Sequence, residues 1–221
     1  MTSTLASPRL DAVLRRLFDA AARDDHASLP PPPPGLASWN DAPADQLSEA
    51  YQDLYIPIAP AAGTLLYALT RAIRPQTVVE FGTSYGISTL YLAAAVIDNG
   101  VGRVVSTELS AKKAAAARDA LDEAGVGGPV TILEGDARET LADVPGPVDL
   151  VLLDGWKDLC LPVLRMLEPK LTPGALVAAD DVTFDSMAAY LDYVRDPASG
   201  YASVEFPVED GMELSCWTGR D

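Results

Sequence analysis

The sequence predicts an α/β fold built on an open, doubly wound, mostly parallel sheet of seven strands. From Thr77 onward, five short apolar runs alternate with stretches of helical spacing. Two alternating segments then flank Asp210-Gly211, a dipeptide typical of a two-residue hairpin turn. Five β–α units followed by one hairpin give a mostly parallel sheet whose C-terminal strand is antiparallel and lies at the edge.

The elements of this core are expected from apolar spacing and from residues that begin or end helices. Val148–Leu153 is apolar at nearly every position, which is typical of a strand covered on both faces. Ser110 is expected to cap an alanine-rich helix that stops at Gly125, and Asp185 to cap a later helix. The strands are expected at 77–81, 103–108, 130–134, 148–153, 175–179, 201–208 and 212–218, and the other helices at 86–97, 137–141 and 159–167.

Residues 1–74 are expected to form a helical extension packed on a core of residues 75–221, the two making a single domain overall. Five prolines at 30–34 cannot lie inside a helix and predict a stiff extended connector. The sequence leaves open whether the extension is a lid over a site or a dimer contact. Its helices are expected at 8–24, 44–53 and 61–73.

Composition restricts the class of protein. The 221 residues are 48% hydrophobic, which is enough for a sizeable core. The formal net charge is −16, with 16 Lys and Arg against 32 acids, so no nucleic-acid partner is expected, because such binding relies on cations meeting phosphates. No run approaches the roughly 18 apolar residues of a membrane span, and no secretion signal is recognised at the N-terminus. A cytoplasmic protein with free thiols at Cys160 and Cys216 is therefore expected.

A glycine-containing turn, Glu-Phe-Gly-Thr-Ser-Tyr-Gly at 80–86, follows the first strand. Gly82 and Gly86 allow the backbone to turn tightly and to approach a ligand closely. The dinucleotide-binding pattern G-x-G-x-x-G does not fit this spacing, which disfavours an NAD-dependent enzyme. A ligand-binding loop and a plain tight turn both remain open.

Two acids follow the next two strands. Glu108 ends the second strand, where a carboxylate can accept hydrogen bonds from both hydroxyls of a ribose; the alternative is a solvated acid ahead of the Ser110 cap. Asp136 and Ala137 follow the third strand, in a place that contacts adenine in the methyltransferase family that the glycine-containing turn resembles. Asp136 could equally form a capping box with Glu139, and the two roles are compatible.

Three further acids are expected to meet at one edge of the sheet. Asp154 follows the fourth strand, and Asp180 and Asp181 follow the fifth. Carboxylates that converge in a cleft repel one another unless something neutralises them, and a divalent cation does so. Carboxylates and waters are ligands suited to magnesium, calcium or manganese.

The run Asp-x-Trp-Lys-Asp at 154–158 and the pair Asp180-Asp181 closely resemble catechol O-methyltransferase. The turn at 80–86 resembles motif I of the class I S-adenosylmethionine-dependent methyltransferases, a far larger superfamily with a Rossmann-like core. The resemblance extends from about Ile56 to the C-terminus. It implies S-adenosyl-L-methionine and Mg²⁺, or another divalent cation, as cofactors and a small-molecule acceptor as substrate.

Residue by residue, the resemblance implies that Asp154, Asp180 and Asp181 bind the metal, that Lys157 is the general base, and that Trp156 walls the acceptor site. Beside a cation, the pKa of Lys157 is expected to be lowered; the alternative is a surface lysine paired with an acid. The cofactor-binding residues implied are Glu80, Gly82, Thr83, Ser84, Gly86, Ser88, Glu108, Asp136, Ala137 and Asp154.

The chain departs from the family pattern in places. Asp181 stands where the family commonly has Asn, and Gly155 where the mammalian enzyme has His. The mammalian acid that helps bind a catechol hydroxyl aligns with Val204, next to Glu205, which weakens the catechol assignment. His26, the only histidine, lies in the extension, so a histidine base is not expected.

The sequence therefore predicts metal-assisted methyl transfer from S-adenosylmethionine to a hydroxyl, with a catechol or another vicinal diol favoured. One alternative is methylation of a sugar or natural-product hydroxyl without an essential metal. A more distant alternative is a non-catalytic protein that binds S-adenosylmethionine. A two-fold homodimer is left open.

Overall fold

The computed structural model describes residues 3–24, 29–36, 38–39 and 42–219; His26 lies outside this part of the chain. Its centre is one seven-stranded sheet with the strand order β3-β2-β1-β4-β5-β7-β6. The strands β1 to β5 run parallel, and β7 runs antiparallel to both of its neighbours. The strands are β1 Thr77–Phe81, β2 Arg103–Glu108, β3 Val130–Glu134, β4 Val148–Leu153, β5 Leu171–Asp180, β6 Tyr201–Phe206 and β7 Met212–Trp217.

This architecture confirms the predicted doubly wound, mostly parallel sheet, with one difference in the hairpin. The antiparallel strand β7 does not form the edge, because it pairs with β5 along Leu176–Asp180 and leaves the outer position to β6. The difference in burial between β6 and β7 explains this order. Met212 is fully buried on β7, whereas Val204 and Phe206 are exposed on β6, so β7 is the strand suited to the interior.

Eight helices in the described residues cover the two faces of the sheet. The helices α1, α3, α4 and α5 contribute to the apolar cluster on one face, and α7 and α8 contribute to the cluster on the other. The helices are α1 Pro8–Ala21, α2 Ala44–Ala50, α3 Pro60–Ile73, α4 Ile87–Asn99, α5 Ala111–Ala124, α6 Ala137–Thr140, α7 Cys160–Leu167 and α8 Ala188–Arg195. None of the helices described is both long and apolar enough to cross a membrane.

The N-terminal extension contributes to the same core as the strands. Leu10 and Leu17 of α1 and Leu66 of α3 belong to the cluster that also contains Leu92 of α4. Ser7 caps α1 by accepting a hydrogen bond from the backbone of Leu10. The extension is thereby held against one face of the sheet.

Most elements begin and end within three residues of their expected positions, and two elements differ in other ways. Strand β5 begins at Leu171 rather than at 175, because the residues around Gly174 extend the strand across a register shift against β4. Asp185 does not cap a helix. It begins a short 3₁₀ turn, Asp185–Met187, that leads into α8, and this turn brings Phe184 to the surface.

The order of the strands determines where a ligand can bind. The chain moves from β1 outward through β2 and β3, then returns to the other side of β1 with β4 and β5. Helices that leave adjacent strands in opposite directions open a crevice at the carboxyl ends of β1 and β4. All the site residues predicted from sequence lie on or just after the strands that end at this edge.

Candidate functional site

A cavity of about 630 Å³ opens at the carboxyl ends of β1 and β4. The loops that follow β1 to β5 form its floor and sides, and residues 44–58 of the extension form its opposite wall. Ligand sites for small molecules and cofactors commonly lie between about 300 and 1,000 Å³. The cavity therefore has room for a nucleotide-sized cofactor together with a small second molecule.

The glycine turn after β1 has a geometry that only glycine satisfies. Gly82 has a φ of +101°, and a Cβ there would lie 2.6 Å from the carbonyl oxygen of Asp154. The backbone N–H groups of Gly82 and Thr83 both donate to the carbonyl of Thr107 on β2. The turn is thus pressed against the ends of β2 and β4, which leaves its outer side facing the cavity.

Glu80 lies beneath this turn and is completely buried. Its carboxylate accepts hydrogen bonds from the hydroxyls of Ser88, Thr89 and Ser106, at 2.5–2.6 Å. Burial raises the pKa of Glu80 to about 7, although the three hydroxyl donors oppose the shift. Glu80 does not line the cavity, whereas Ser88 does. Within this structure Glu80 braces the turn from below.

The hydroxyls of the turn are also engaged within the protein. Thr83 shares a hydrogen bond of 2.5 Å with the buried Ser106. Ser84 donates its hydroxyl to the carbonyl of Tyr55 in the extension and receives a hydrogen bond from Lys113. Both residues line the cavity, and these bonds hold their side chains against neighbouring parts of the protein.

Glu108 lines the cavity at the end of β2. One carboxylate oxygen accepts the backbone N–H of Ser84 and the other accepts that of Ser110, both at 2.8 Å. Each carboxylate oxygen can accept a second hydrogen bond. The geometry therefore leaves room for the two hydroxyls of a ribose while it also fixes Glu108 between two loops.

Asp136 and Ala137 lie at the cavity end farther along the sheet. Asp136 caps α6 by accepting from the backbone of Arg138, and it also forms an ion pair with the Arg138 side chain. The hydrogen bonds and charge of Arg138 lower the pKa of Asp136. Asp136 therefore caps α6, but through the backbone of Arg138 and not in the expected capping box with Glu139. Ala137 is buried and lines the cavity.

The structure brings the three predicted metal ligands together. Asp154, Asp180 and Asp181 can each present an oxygen within 4.8 Å of the others. Burial, together with repulsion from the other carboxylates, raises the pKa of both Asp154 and Asp180. Asp181 has a left-handed φ of +58°, the backbone strain of a residue held in place by its surroundings. Three partly buried carboxylates of this spacing fit a hard divalent cation.

Lys157 lies at the same cluster. Its ammonium is 3.1 Å from Asp154 and 2.9 Å from Asp181. Burial lowers the pKa of Lys157, but the two carboxylates outweigh that effect and raise it. This direction is opposite to the one expected for a lysine beside a cation, because the neighbouring charges here are negative.

Aromatic residues form the remaining end of the cavity. Trp156 lines it, as predicted, and packs edge-on against Tyr51 of the extension, a residue that the sequence did not single out. Gly155 leaves space for the ring of Phe81, which a Cβ at Gly155 would strike. Phe184 lines the cavity from the other side and is half exposed.

Two charged residues near the site were not predicted from the sequence. Lys113 on α5 is buried, lines the cavity and reaches Ser84; its pKa is lowered by burial despite nearby acids. Glu209, in the β6–β7 turn, has its pKa raised by partial burial and then by Asp210 and Asp181. A buried lysine on an alanine-rich helix and an acid in a turn carry no sequence signal that marks them.

The two positions aligned with the mammalian acid do not enter the cavity. Val204 is 63% exposed on β6. Glu205 forms an ion pair with Arg195 of α8. Among the acids of the hairpin, Glu209 is the one that influences the pKa of Asp154.

Comparison with known proteins agrees with this geometry. A family described as "Methyltransferase domain" matches residues 79–182, which run from β1 to just beyond β5. Catechol O-methyltransferase B from Danio rerio is 31% identical over 171 residues, covering 71% of this chain and 64% of the relative. Catechol O-methyltransferase from Mycobacterium tuberculosis is 34% identical over 136 residues, covering 61% of each. The chain thus spans less than two thirds of the length of these curated relatives.

A solved structure extends the comparison to the fold and the cofactor cleft. The O-methyltransferase TomG from Streptomyces achromogenes, involved in tomaymycin synthesis and solved in complex with SAM, is 26% identical. It superposes with a TM-score of 0.66 over 80% of this chain and 88% of its own. With the cavity and the residues described above, these similarities support a class I S-adenosylmethionine-dependent O-methyltransferase.

Proposed function

We propose that this protein transfers a methyl group from S-adenosyl-L-methionine to a hydroxyl of a small acceptor, with the assistance of a divalent cation, and that a catechol or another vicinal diol is the favoured acceptor. The observation that carries the proposal is the convergence of Asp154, Asp180 and Asp181 with Lys157 at the edge of the cleft. The glycine turn lies directly beside this cluster, since Gly82 contacts the backbone of Asp154.

The cofactor is proposed to lie along the loops after β1, β2 and β3. The tight turn at Gly82 and Gly86 presents backbone groups to the amino-acid part, and Glu108 can accept hydrogen bonds from the ribose hydroxyls. Asp136 and Ala137 lie where the adenine would be expected. This arrangement leaves the sulfonium end near Asp154, beside the acid cluster.

The acid cluster is suited to hold Mg²⁺ or a similar cation through Asp154, Asp180 and Asp181. Such a cation would hold two adjacent oxygens of the acceptor and lower the pKa of one hydroxyl. Repulsion among the three carboxylates, which raises the pKa of Asp154 and Asp180, is the reason that the cluster favours a cationic ligand.

Lys157 is the proposed proton acceptor. Its ammonium contacts Asp154 and Asp181, and these carboxylates hold its proton. A cation held by these carboxylates would offset their negative charge and so weaken the effect that raises the pKa of Lys157. Its amine could then accept the proton of the acceptor hydroxyl. The acceptor oxygen then attacks the methyl carbon in line as the carbon–sulfur bond breaks, which leaves S-adenosylhomocysteine. Alignment of the two reactants in one cavity supplies much of the rate.

A second function is methylation of a sugar or natural-product hydroxyl without an essential metal. The ion pairs of Lys157 with Asp154 and Asp181 favour it, because they already neutralise part of the cluster. The similarity to TomG, an enzyme of tomaymycin synthesis, points to the same class of acceptor. In that case Asp154 and Asp181 orient Lys157.

The test is to incubate the protein with S-adenosylmethionine and a panel of catechols and sugars, with Mg²⁺ or with EDTA, and to detect methylated products by mass spectrometry. Methylated catechol that forms with Mg²⁺ and disappears with EDTA supports the metal-assisted reaction. Product that persists in EDTA supports the second function. Failure to bind S-adenosylmethionine in calorimetry would overturn both.

A further inference from the structure

A buried lysine, Lys113, lies beside the glycine turn. It belongs to the first turn of α5, where its backbone N–H donates to the Ser110 cap, and it is only 5% exposed. Its ammonium lies 3.2 Å from the hydroxyl oxygen of Ser84 and 5.6 Å from the centre of the Tyr85 ring. Lys113 and Ser84 both line the cavity. An ammonium carries three hydrogen-bond donors, and the Ser84 hydroxyl takes one of them.

Lys113 forms no ion pair with any acid in the part of the chain that the structure describes. Glu108, Asp24 and Asp53 lie near enough to favour its charged form, but burial outweighs them and lowers its pKa. These three acids have closer partners. The partners are the backbone N–H groups of Ser84 and Ser110 for Glu108, that of Tyr55 for Asp24, and the ammonium of Lys112 for Asp53.

The contrast with Lys157 indicates what Lys113 lacks. Lys157 also lines the cavity, but its ammonium pairs with Asp154 and Asp181. A buried cation without a carboxylate partner is costly, unless a ligand supplies the opposite charge. In S-adenosylmethionine the sulfonium and the amine are cationic, and the anionic group is the carboxylate of the amino-acid part. The carboxylate is therefore the group of the cofactor that suits Lys113.

We propose that Lys113 binds the carboxylate of S-adenosylmethionine and thereby sets the affinity for the cofactor. The inference rests on the proposed function and deepens it, because that function puts the amino-acid part of the cofactor against the turn that Lys113 touches. Ser84 holds the ammonium in place, since its hydroxyl accepts from Lys113 and donates to the carbonyl of Tyr55 at 2.7 Å. The remaining donors of the ammonium can bond a carboxylate, and such charge-assisted bonds are roughly twice as strong as neutral ones.

The alternative role for Lys113 is a brace that holds Ser84 and offsets the charge of Glu108. The two roles differ in what they do to different ligands. A brace shapes the turn and so affects every ligand that occupies it, whereas a carboxylate partner affects only a ligand that has the carboxylate. Removing the carboxylate from the ligand therefore separates the two roles.

The test measures the binding of S-adenosylmethionine and of decarboxylated S-adenosylmethionine by calorimetry, in EDTA and without an acceptor. The second ligand keeps the sulfonium and the amine and lacks the carboxylate. Lys113→Met is expected to weaken binding of S-adenosylmethionine about 10- to 100-fold, the effect of one lost hydrogen bond between charged groups. The decarboxylated ligand is expected to change by less than about twofold. Equal weakening of both ligands would overturn the inference in favour of the brace.

Lys112→Met is the matched control. It removes the same charge from the adjacent position, where the lysine side chain is 53% exposed and pairs with Asp53. Both ligands are expected to bind this variant within about twofold of the wild type, because an exposed ion pair contributes little. A selective loss as large as that of Lys113→Met would contradict a contact specific to Lys113. Lys113→Gln, which is also neutral, should show the same selective loss and decides the question if Lys113→Met does not fold.

These measurements separate failure of this inference from failure of the proposed function, because they involve neither acceptor nor metal. A loss confined to S-adenosylmethionine supports the contact between Lys113 and the carboxylate even if the protein methylates no diol. Equal affinity of the wild type and Lys113→Met for S-adenosylmethionine overturns that contact and leaves the proposed methyl transfer intact. A wild type that does not bind S-adenosylmethionine overturns both.

Discussion

The cavity has a proposed cofactor end, at the loops after β1 to β3, and a proposed acceptor end, at the acid cluster after β4 and β5. The two ends differ in how the hydrogen-bonding and charged groups are paired. At the cofactor end, Glu80 has three hydroxyl donors and Glu108 has two backbone donors, all supplied by the protein itself. At the acceptor end, Asp154, Asp180 and Asp181 share one lysine. The acids at the first end are paired without a ligand, and the second end carries a surplus of negative charge.

This difference implies different roles for the two ends. Preformed hydrogen bonds at the cofactor end fix the backbone, so a ligand there meets groups that are already oriented. The surplus charge at the acceptor end makes its titration depend on what it binds, because each carboxylate changes the pKa of the others. Substitutions at the acceptor end should therefore affect turnover, and those at the cofactor end should affect folding and cofactor affinity.

The largest expected effect concerns Lys157. Lys157→Met removes the proposed proton acceptor, and kcat is expected to fall about 10²- to 10⁴-fold, the range of one general base. The affinity for S-adenosylmethionine, measured by calorimetry, is expected to change little, because the glycine turn and Glu108 are untouched. Loss of cofactor binding in this variant would contradict the assignment of turnover to one end and cofactor affinity to the other.

Lys157→Arg is the matched control for charge. Arginine keeps a cation between Asp154 and Asp181 but cannot be deprotonated in a protein. We therefore expect this variant to be as inactive as Lys157→Met. If it retained more than about a tenth of the wild-type kcat, well above the loss of one general base, Lys157 would act through its charge alone.

A second prediction compares two glycines that both have positive φ. A Cβ at Gly82 would lie 2.6 Å from the carbonyl of Asp154, whereas Gly100, at φ +66°, has nothing within 4 Å. Gly82→Ala combines a backbone penalty with a steric clash and is expected to lower the free energy of unfolding by about 3–4 kcal/mol. It should also weaken cofactor binding, because the turn must move.

Gly100→Ala carries the backbone penalty without the clash. It is expected to cost about 1–2 kcal/mol and to leave cofactor affinity unchanged, since Gly100 follows α4 at the far end of that helix. Denaturant unfolding and calorimetry measure both quantities. Equal destabilisation by the two substitutions would show that the cofactor turn is not pressed against β4.

The cofactor end was the more predictable from sequence, and the reason is local. Gly82, Gly86 and Glu108 stand at strand ends with spacings that backbone geometry requires. The structure places Gly82 and Glu108 at the cavity and Gly86 at the start of α4. The acids after β4 and β5 were predictable for a similar reason, because neighbouring parallel strands end at one edge. The positions of β1 and β4 followed from apolar runs that are buried on both faces.

Trp156 was predicted as a wall residue, but its partner Tyr51 was not, because their contact joins segments that are distant in the sequence. Tyr51 meets Trp156 across more than a hundred residues of chain, and Glu209 reaches the site through a turn at the far end of the hairpin. Neither position lies in a repeating pattern. The direction of the pKa shift at Lys157 was likewise not predictable. It depends on the distances from its ammonium to two carboxylates, and the sequence does not contain these distances.

A further expected effect is a pH dependence of stability at Glu80, beneath the glycine turn. Burial raises the pKa of Glu80 from its ordinary value of 4.5 to about 7. The folded state therefore binds the proton more tightly than the unfolded chain does. The stability that this proton contributes is fully present below pH 4.5 and is lost as the pH rises through about 7, by up to about 3 kcal/mol. Glu80→Gln should lack this dependence, so its stability relative to wild type should rise between pH 4.5 and 7.

Glu213 gives the opposite sign and serves as the matched control. It is as fully buried as Glu80, but Arg195 donates to both of its oxygens and lowers its pKa despite the effect of burial. Its contribution to stability is therefore present above the unfolded pKa and is lost as the pH falls through the folded one. Relative to wild type, Glu213→Gln should be least destabilised in acid, whereas Glu80→Gln should be most destabilised there. Urea unfolding between pH 3 and 8 measures the stability of each variant relative to wild type. If the two variants showed the same pH dependence, the hydroxyl donors around Glu80 would stabilise a carboxylate as well as Arg195 does.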